Sequence, residues 1–152
     1  MDSSLRIEFA VRYRLGEYLR FVTEHAFDTE ESLQTLTGAR RHVARFTLLC
    51  VAAIGFVYKS SRVGRCDFTI DAAGVSRRTR RGPGSVAWAR VKAVHIYSPG
   101  FLVELESGAM PIPFRVLSLE QQKQFRLLAA DHLPEGPQRG RPVEPTPLRG
   151  AA

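Results

Sequence analysis

The chain has only two cysteines, and they stand in unlike settings. Cys50 lies inside an apolar run and reads as a small hydrophobe, while Cys66 opens a strand-like segment. Such a pair makes neither a disulfide framework nor a metal site. The four histidines, His25, His42, His95 and His132, show no ligand spacing. Asp67 and Asp71 fall on a strand and at its turn, as surface and turn residues and not as a catalytic pair. "RGPGS" lacks the lysine and the following helix of a phosphate loop. No nucleophile stands with a base and an orienting group, and no internal repeat is visible. "MDSSLRIEFAVRYR" lacks the positive start and unbroken apolar core of a signal peptide. The expectation is therefore a protein that is not an enzyme, with no catalytic, cofactor or metal residue to name.

What is present is a sizeable, positively charged chain. Its 152 residues allow one ordinary domain and a short appendage. The net charge of +7 is uneven. Residues 1–45 carry seven basic and seven acidic side chains, residues 59–132 twelve and six. A basic segment of this kind suits nucleic acid, anionic lipid or an acidic partner.

"LRIEFAVRY" alternates. Leu5, Ile7, Phe9, Val11 and Tyr13 share one face, which predicts a half-buried strand. The period then changes, and Leu15, Tyr18, Leu19, Val22 and Ala26 predict the apolar face of an amphipathic helix over about Leu15 to Phe27. "DTEESLQTLTGARRH" reads as a second short helix or a linker. After Lys59 the pattern is β. "DAAG" places Gly74 at a turn, and "RGPG", Arg81 to Gly84, reads as a second turn. "SVAWARVKAVHIY" reads as a strand with Trp88 in the core. "FLVELES" is another, and "MPIPF" a strand confined by its prolines to an edge or an irregular position. "SLEQ" matches a capping box and starts a helix at Ser118. Phe125, Leu128, Ala129 and His132 share one face of it. The Pro-, Gly- and Arg-rich tail buries too little to offset its ordering entropy.

Between Arg45 and Lys59 runs "FTLLCVAAIGFVY", without an ionisable group at neutral pH. Thirteen residues span roughly 20 Å as a helix, short of the ~30 Å hydrocarbon core. Extended from Arg41 to Lys59 it reaches about 27 Å, with arginines on either side and Tyr58 at an interfacial position. A crossing helix, a buried helix and an interfacial helix are all compatible with this length. Embedding in a membrane fits best, because no polar residue marks a solvent face.

The order of strand, helix, hydrophobic segment and basic β region resembles the YcxB-like family of small bacterial membrane proteins. The resemblance covers about residues 5–133. It is carried by "IEFAVRYRLGEYLRFVTEHA", by Trp88 with Val91 and Val94, by "FLVEL" and "MPIPF", and by the helix around Phe125. It implies a C-terminal part like the bacterial pleckstrin-homology fold. Such proteins carry two adjacent transmembrane helices that leave both soluble parts in the cytoplasm, whereas only one apolar run stands here.

The expected fold is thus α+β. It has a pleckstrin-homology-like antiparallel β core with a C-terminal capping helix, an N-terminal strand-helix unit and one hydrophobic helix. Residues 1–40 form the N-terminal unit, 41–59 the membrane-embedded helix, 60–133 the β domain and 134–152 a disordered tail. The expected role is a membrane-anchored, non-enzymatic interaction module that needs no cofactor; the alternative from another class is an enzyme whose site the sequence does not reveal. Its partners would be membrane lipid and an unknown protein. Arg77, Arg78, Arg80 and Arg81, in "SRRTRRG", are the candidate lipid or partner contacts, or a solvated hairpin tip that signals topology. No aromatic interleaving or helix-turn-helix accompanies them, so nucleic acid is not the expected partner. Basic residues after the apolar run place the β domain on the cytoplasmic side of the inner membrane. The strand Leu5–Tyr13 needs cover, so it should share a sheet with the strands after Cys66. The apolar segment would then dip into the bilayer or pack against it without crossing.

Overall fold

A computed structural model describes residues 5–140 of the chain. Strand β1 (Ile7–Val11) leads into α1 (Leu15–Thr29), the short α2 (Glu31–Gln34) and the long α3 (Gly38–Val63). Then come β2 (Cys66–Asp71), β3 (Gly74–Thr79) and β4 (Gly82–Ala87), a 3-10 turn (Trp88–Arg90), and β5 (Val91–Tyr97), β6 (Gly100–Leu105) and β7 (Gly108–Pro113). A second 3-10 turn (Phe114–Val116), α4 (Leu119–His132) and β8 (Pro137–Arg139) finish the described chain. The fold is α+β, with one sheet in the order β1-β2-β3-β4 and another in the order β7-β6-β5-β8. All pairings are antiparallel except β5 with β8.

Strand β1 pairs with β2 along its whole length, Ile7 opposite Ile70 and Val11 opposite Cys66. The alternation in "LRIEFAV" thus predicts the strand and its buried Ile7 and Val11, but the strand is shorter than Leu5–Tyr13 and Leu5 is exposed. Ile7 and Val11 are buried with Phe68, Ile70 and Val75 against Val94, Phe101, Val103 and Ile112 of the second sheet. Each such side chain contributes about 1.5–3 kcal/mol of burial. Helix α4 closes this core with Phe125, Leu128 and Ala129. The Phe125 ring lies 4.6 Å from that of Phe101. Trp88 is 4% exposed, and its indole N–H donates to the Asp71 carbonyl at 2.8 Å. The capping box is complete: Gln121 N–H donates to Ser118 Oγ, and Ser118 N–H to Gln121 Oε1. The Gln121 amide also donates to the Glu8 carbonyl, which ties α4 to β1.

Helix α1 lies on the outer face of the second sheet. Strand alternation points His95, Tyr97 and Leu102 away from the main core, and Phe21 packs with Tyr97 and Leu102 there. The expected apolar face of α1 is incomplete for this reason. The helix sits between two layers, so Phe21 faces the sheet while Tyr18 meets Phe56 of α3, ring centroids 5.2 Å apart. Phe27 is buried as well, under the Arg41 guanidinium at 5.4 Å from its ring, a cation–π distance. Tyr18 with Phe56 and Phe27 with Arg41 set α1 and α3 antiparallel.

Other expectations are corrected. The hydrophobic helix is longer than 41–59, running Gly38–Val63. "RGPG" is not a turn: β4 already includes Gly82, Pro83 and Gly84. As the outer strand of its sheet, β4 tolerates a proline that donates no hydrogen bond. "SVAWARVKAVHIY" breaks at the 3-10 turn, where the chain passes from one sheet to the other. The tail is ordered past residue 134. Strand β8 pairs its backbone with β5, and Gly140 N–H donates to the Ile96 carbonyl. Residues 141–152 of the expected tail lie outside the described residues.

A repeat unseen in the sequence is also present. Two three-stranded meanders, β2–β4 and β5–β7, each end in a 3-10 turn. One constant offset relates Gly74 to Gly100, Gly82 to Gly108 and Trp88 to Phe114. At Gly74 a Cβ would collide with the Val86 carbonyl oxygen, and at Gly100 with the equivalent oxygen of Ile112. Beyond the two glycine pairs, Ile70 and Ile96 are the only identical residues at this offset across the two meanders.

Candidate membrane surface and basic cavity

Two features outside the core carry chemistry. The first is the outer face of α3. Helical geometry puts Val43, Phe46, Val51, Ile54, Val57 and Tyr58 on the side away from α1, and each is 59–72% exposed. The inward side is held by Ala52, which is buried, and by Phe56. Gly38–Ser60 is the one helix among the described residues long and apolar enough to cross a membrane, and only 6% of its most apolar stretch is buried within the protein. Exposed Arg40 and Arg41 precede the stripe and Lys59 follows it, while exposed Arg45 falls within its span. Exposed apolar area of this extent marks an interaction surface in a stable protein.

The second feature is a cavity of about 1160 Å³ between the α1–α3 pair and the β3–β4 and β6–β7 hairpins. The arginine motif contributes to it unevenly. Arg77 stands opposite Phe68 on the core-facing side of β3, and its charge is felt by the Tyr13 phenol and the Cys66 thiol. Arg80 and Arg81 form the β3–β4 turn and line the same cavity. Arg78 stands opposite Asp67 and Pro83, on the other face of the sheet, and does not line it. Strand alternation sets Arg78 apart from the three arginines at this cavity, while Arg77 and Arg78 together line a second groove across β1 to β4. Burial pushes the Tyr13 phenol and the Cys66 thiol up, so both stay protonated at neutral pH. Tyr13 spends its proton on the Pro111 carbonyl at 2.7 Å.

A polar network that the sequence did not reveal joins α1 to the second sheet. His95 Nε2–H donates to Glu104 at 2.7 Å. His25 meets Tyr97 Oη at 2.9 Å, and Tyr97 donates to Asp28 at 3.2 Å. Glu24 accepts from the backbone N–H and hydroxyl of Ser98. Burial, and then Asp28, holds the Tyr97 phenol protonated. His25 and His95 are far apart in sequence, and only the docking of α1 brings their rings to 5.2 Å. At the start of α1, Arg115 grips both carboxylate oxygens of Glu17 at 2.8 and 2.9 Å and the Arg12 carbonyl at 2.7 Å. Among the described residues no group of three or more His, Cys, Asp or Glu could hold a metal ion.

Set against known proteins, the chain matches no family model and no curated protein.

Proposed function

We propose that this protein is a non-enzymatic interaction module held at the cytoplasmic face of the bacterial inner membrane by the outer side of α3. The observation that carries this reading is the exposed apolar stripe from Val43 to Tyr58, bracketed by basic side chains. Buried in the acyl–headgroup boundary, six such residues would contribute roughly 1.5–3 kcal/mol each. The basic residues at either end would meet anionic headgroups at about 1 kcal/mol apiece.

The helix lies along the bilayer in this reading and does not cross it. Strands β1 and β2, which flank the helical insertion, pair in one sheet, which favours both flanks on one side. A crossing with α1 still attached would carry Glu17, Arg20, Glu24 and Asp28 toward the hydrocarbon. A charged residue at the bilayer centre costs about 2.5–3.5 kcal/mol. The β region supports a pleckstrin-homology-like assignment through its two three-stranded meanders, β1 added beside the first, followed by a closing helix. That arrangement also keeps the YcxB-like resemblance in play. A second reading, binding of anionic lipid headgroups, is favoured by Arg77, Arg80 and Arg81 meeting at one cavity.

Fractionation of cells that make the intact chain tests the proposal. The protein is expected with membranes. In spheroplasts, with Cys50 and Cys66 replaced, cysteines at Ser3 and Ser107 should both be protected from an impermeant reagent. Recovery as a soluble monomer would end the membrane reading. Labelling at Ser3 with Ser107 protected would establish a single pass.

A further inference from the structure

The cavity beside α3 has two contrasting kinds of wall. Val22, Phe56, Val86 and Leu105, each half-buried, supply an apolar lining from both helices and both sheets, over the buried Val75 and Leu102. The fixed charges on its border are Arg12, Lys59, Arg77, Arg80 and Arg81 against the single carboxylate of Glu30. Among the described residues no carboxylate pairs with Arg77, Arg80 or Arg81. Unpaired guanidinium groups beside apolar side chains favour an anion that brings its own apolar body. The volume of about 1160 Å³ exceeds the roughly 300–1,000 Å³ of ordinary small-molecule pockets, which leaves room for a long hydrocarbon chain.

From these contacts we infer that the cavity binds an acyl-chain amphiphile with an anionic head, the chain between α1–α3 and the sheets and the head on Arg77, Arg80 and Arg81. A carboxylate head and a phosphate head share the required chemistry, since a guanidinium fork matches either. The neutral Cys66 thiol and Tyr13 phenol set no negative charge against the head. The inference rests on the membrane reading only for the source of the ligand. A helix lying on a bilayer would bring the cavity close to free fatty acids and lysophospholipids. The binding itself depends on the apolar and basic walls of the cavity.

The test uses the delipidated full-length protein and displacement of a fluorescent anthroyloxy-stearate. One site per chain is expected. Palmitate and lysophosphatidylglycerol should each displace the probe, their ranking telling carboxylate from phosphate. Neutral monoolein should be at least tenfold weaker. R77Q combined with R80Q, both at exposed positions, should cut the affinity for the anionic competitors about tenfold and leave monoolein unchanged. Val22→Phe should weaken all three by filling the cavity. The pair I54D and V57D, on the outer stripe, should release the protein from membranes and leave amphiphile binding intact, so failure of the membrane reading and failure of this one are distinguishable. Equal displacement by monoolein, or R77Q/R80Q without effect, would overturn the inference. So would binding lost in I54D/V57D but kept in Val22→Phe, which would put the chain on the outside of α3.

Discussion

The imidazole rings of His25 on α1 and His95 on β5 lie 5.2 Å apart. His95 is anchored by Glu104, and His25 by the Tyr97 phenol. Burial, and then the neighbouring His95, lowers the pKa of His25 from its ordinary 6.5, while Glu104, Asp28 and Glu30 pull more weakly the other way. An unfolded His25 therefore takes up a proton at higher pH than the folded one. The stabilising contribution of neutral His25 is complete above about 6.5 and lost as pH falls below it. Thermal melts at pH 8 and pH 5.5 should show a lower midpoint in acid, and His25→Gln should shrink the difference. An unchanged difference in that variant would assign the acid sensitivity elsewhere.

Arg115 and Glu17 bind α1 to the far end of the sheets with two parallel hydrogen bonds. The Glu17 side chain is only 14% exposed, so losing its partner is costly. Arg115→Ala should destabilise by about 1.5–3 kcal/mol, the range for hydrogen bonds to charged groups. Arg115→Lys should recover only part, because a lysine has no planar fork. In denaturant melts the double variant with Glu17→Gln should cost less than the sum of the single ones.

Trp88→Ala should cost about 3–5 kcal/mol, the usual range for truncating a buried large aromatic. Trp88→Phe keeps most of the packing and loses the bond to the Asp71 carbonyl, for about 1 kcal/mol. A loss below ~1 kcal/mol for the alanine variant would mean that Trp88 is not a core residue.

Much of this architecture was legible because its cause is local. Alternation in "LRIEFAV" specifies β1 and the face that it buries, the Ser118–Gln121 pair specifies the start of α4, and Pro111 and Pro113 mark β7 as an outer strand. What escaped depends on partners distant in sequence. Pro137–Arg139 has no apolar signal, since β8 is held by backbone pairing. Phe21 lies off the expected face because α1 is covered from two sides. The four arginines look like one cluster in "SRRTRRG", and only strand alternation separates Arg78 from the other three. The cavity draws on both helices and both sheets, so no single window of sequence could contain it.

The repeat makes its own prediction. Gly74 and Gly100 sit where a Cβ meets a carbonyl oxygen, so Gly74→Ala and Gly100→Ala should each destabilise by about 1–3 kcal/mol through backbone strain. Alanine at Gly16, where a Cβ meets nothing within 4 Å, should be tolerated in the same melts.

The pairing of β1 with β2 across the helical insertion also sets an order of events during synthesis. Chains emerge N-terminus first and assemble as their parts become available. Strand β1 leaves the ribosome early and finds no partner until the whole of α3 has followed it and β2 appears. When α3 (Gly38–Val63) has emerged, the strands from β2 to β8 that complete both sheets have still to follow it. Contacts between segments so far apart in sequence form slowly. On the membrane reading, the stripe from Val43 to Tyr58 would therefore meet the bilayer from a nascent chain, ahead of the folded domain that it anchors.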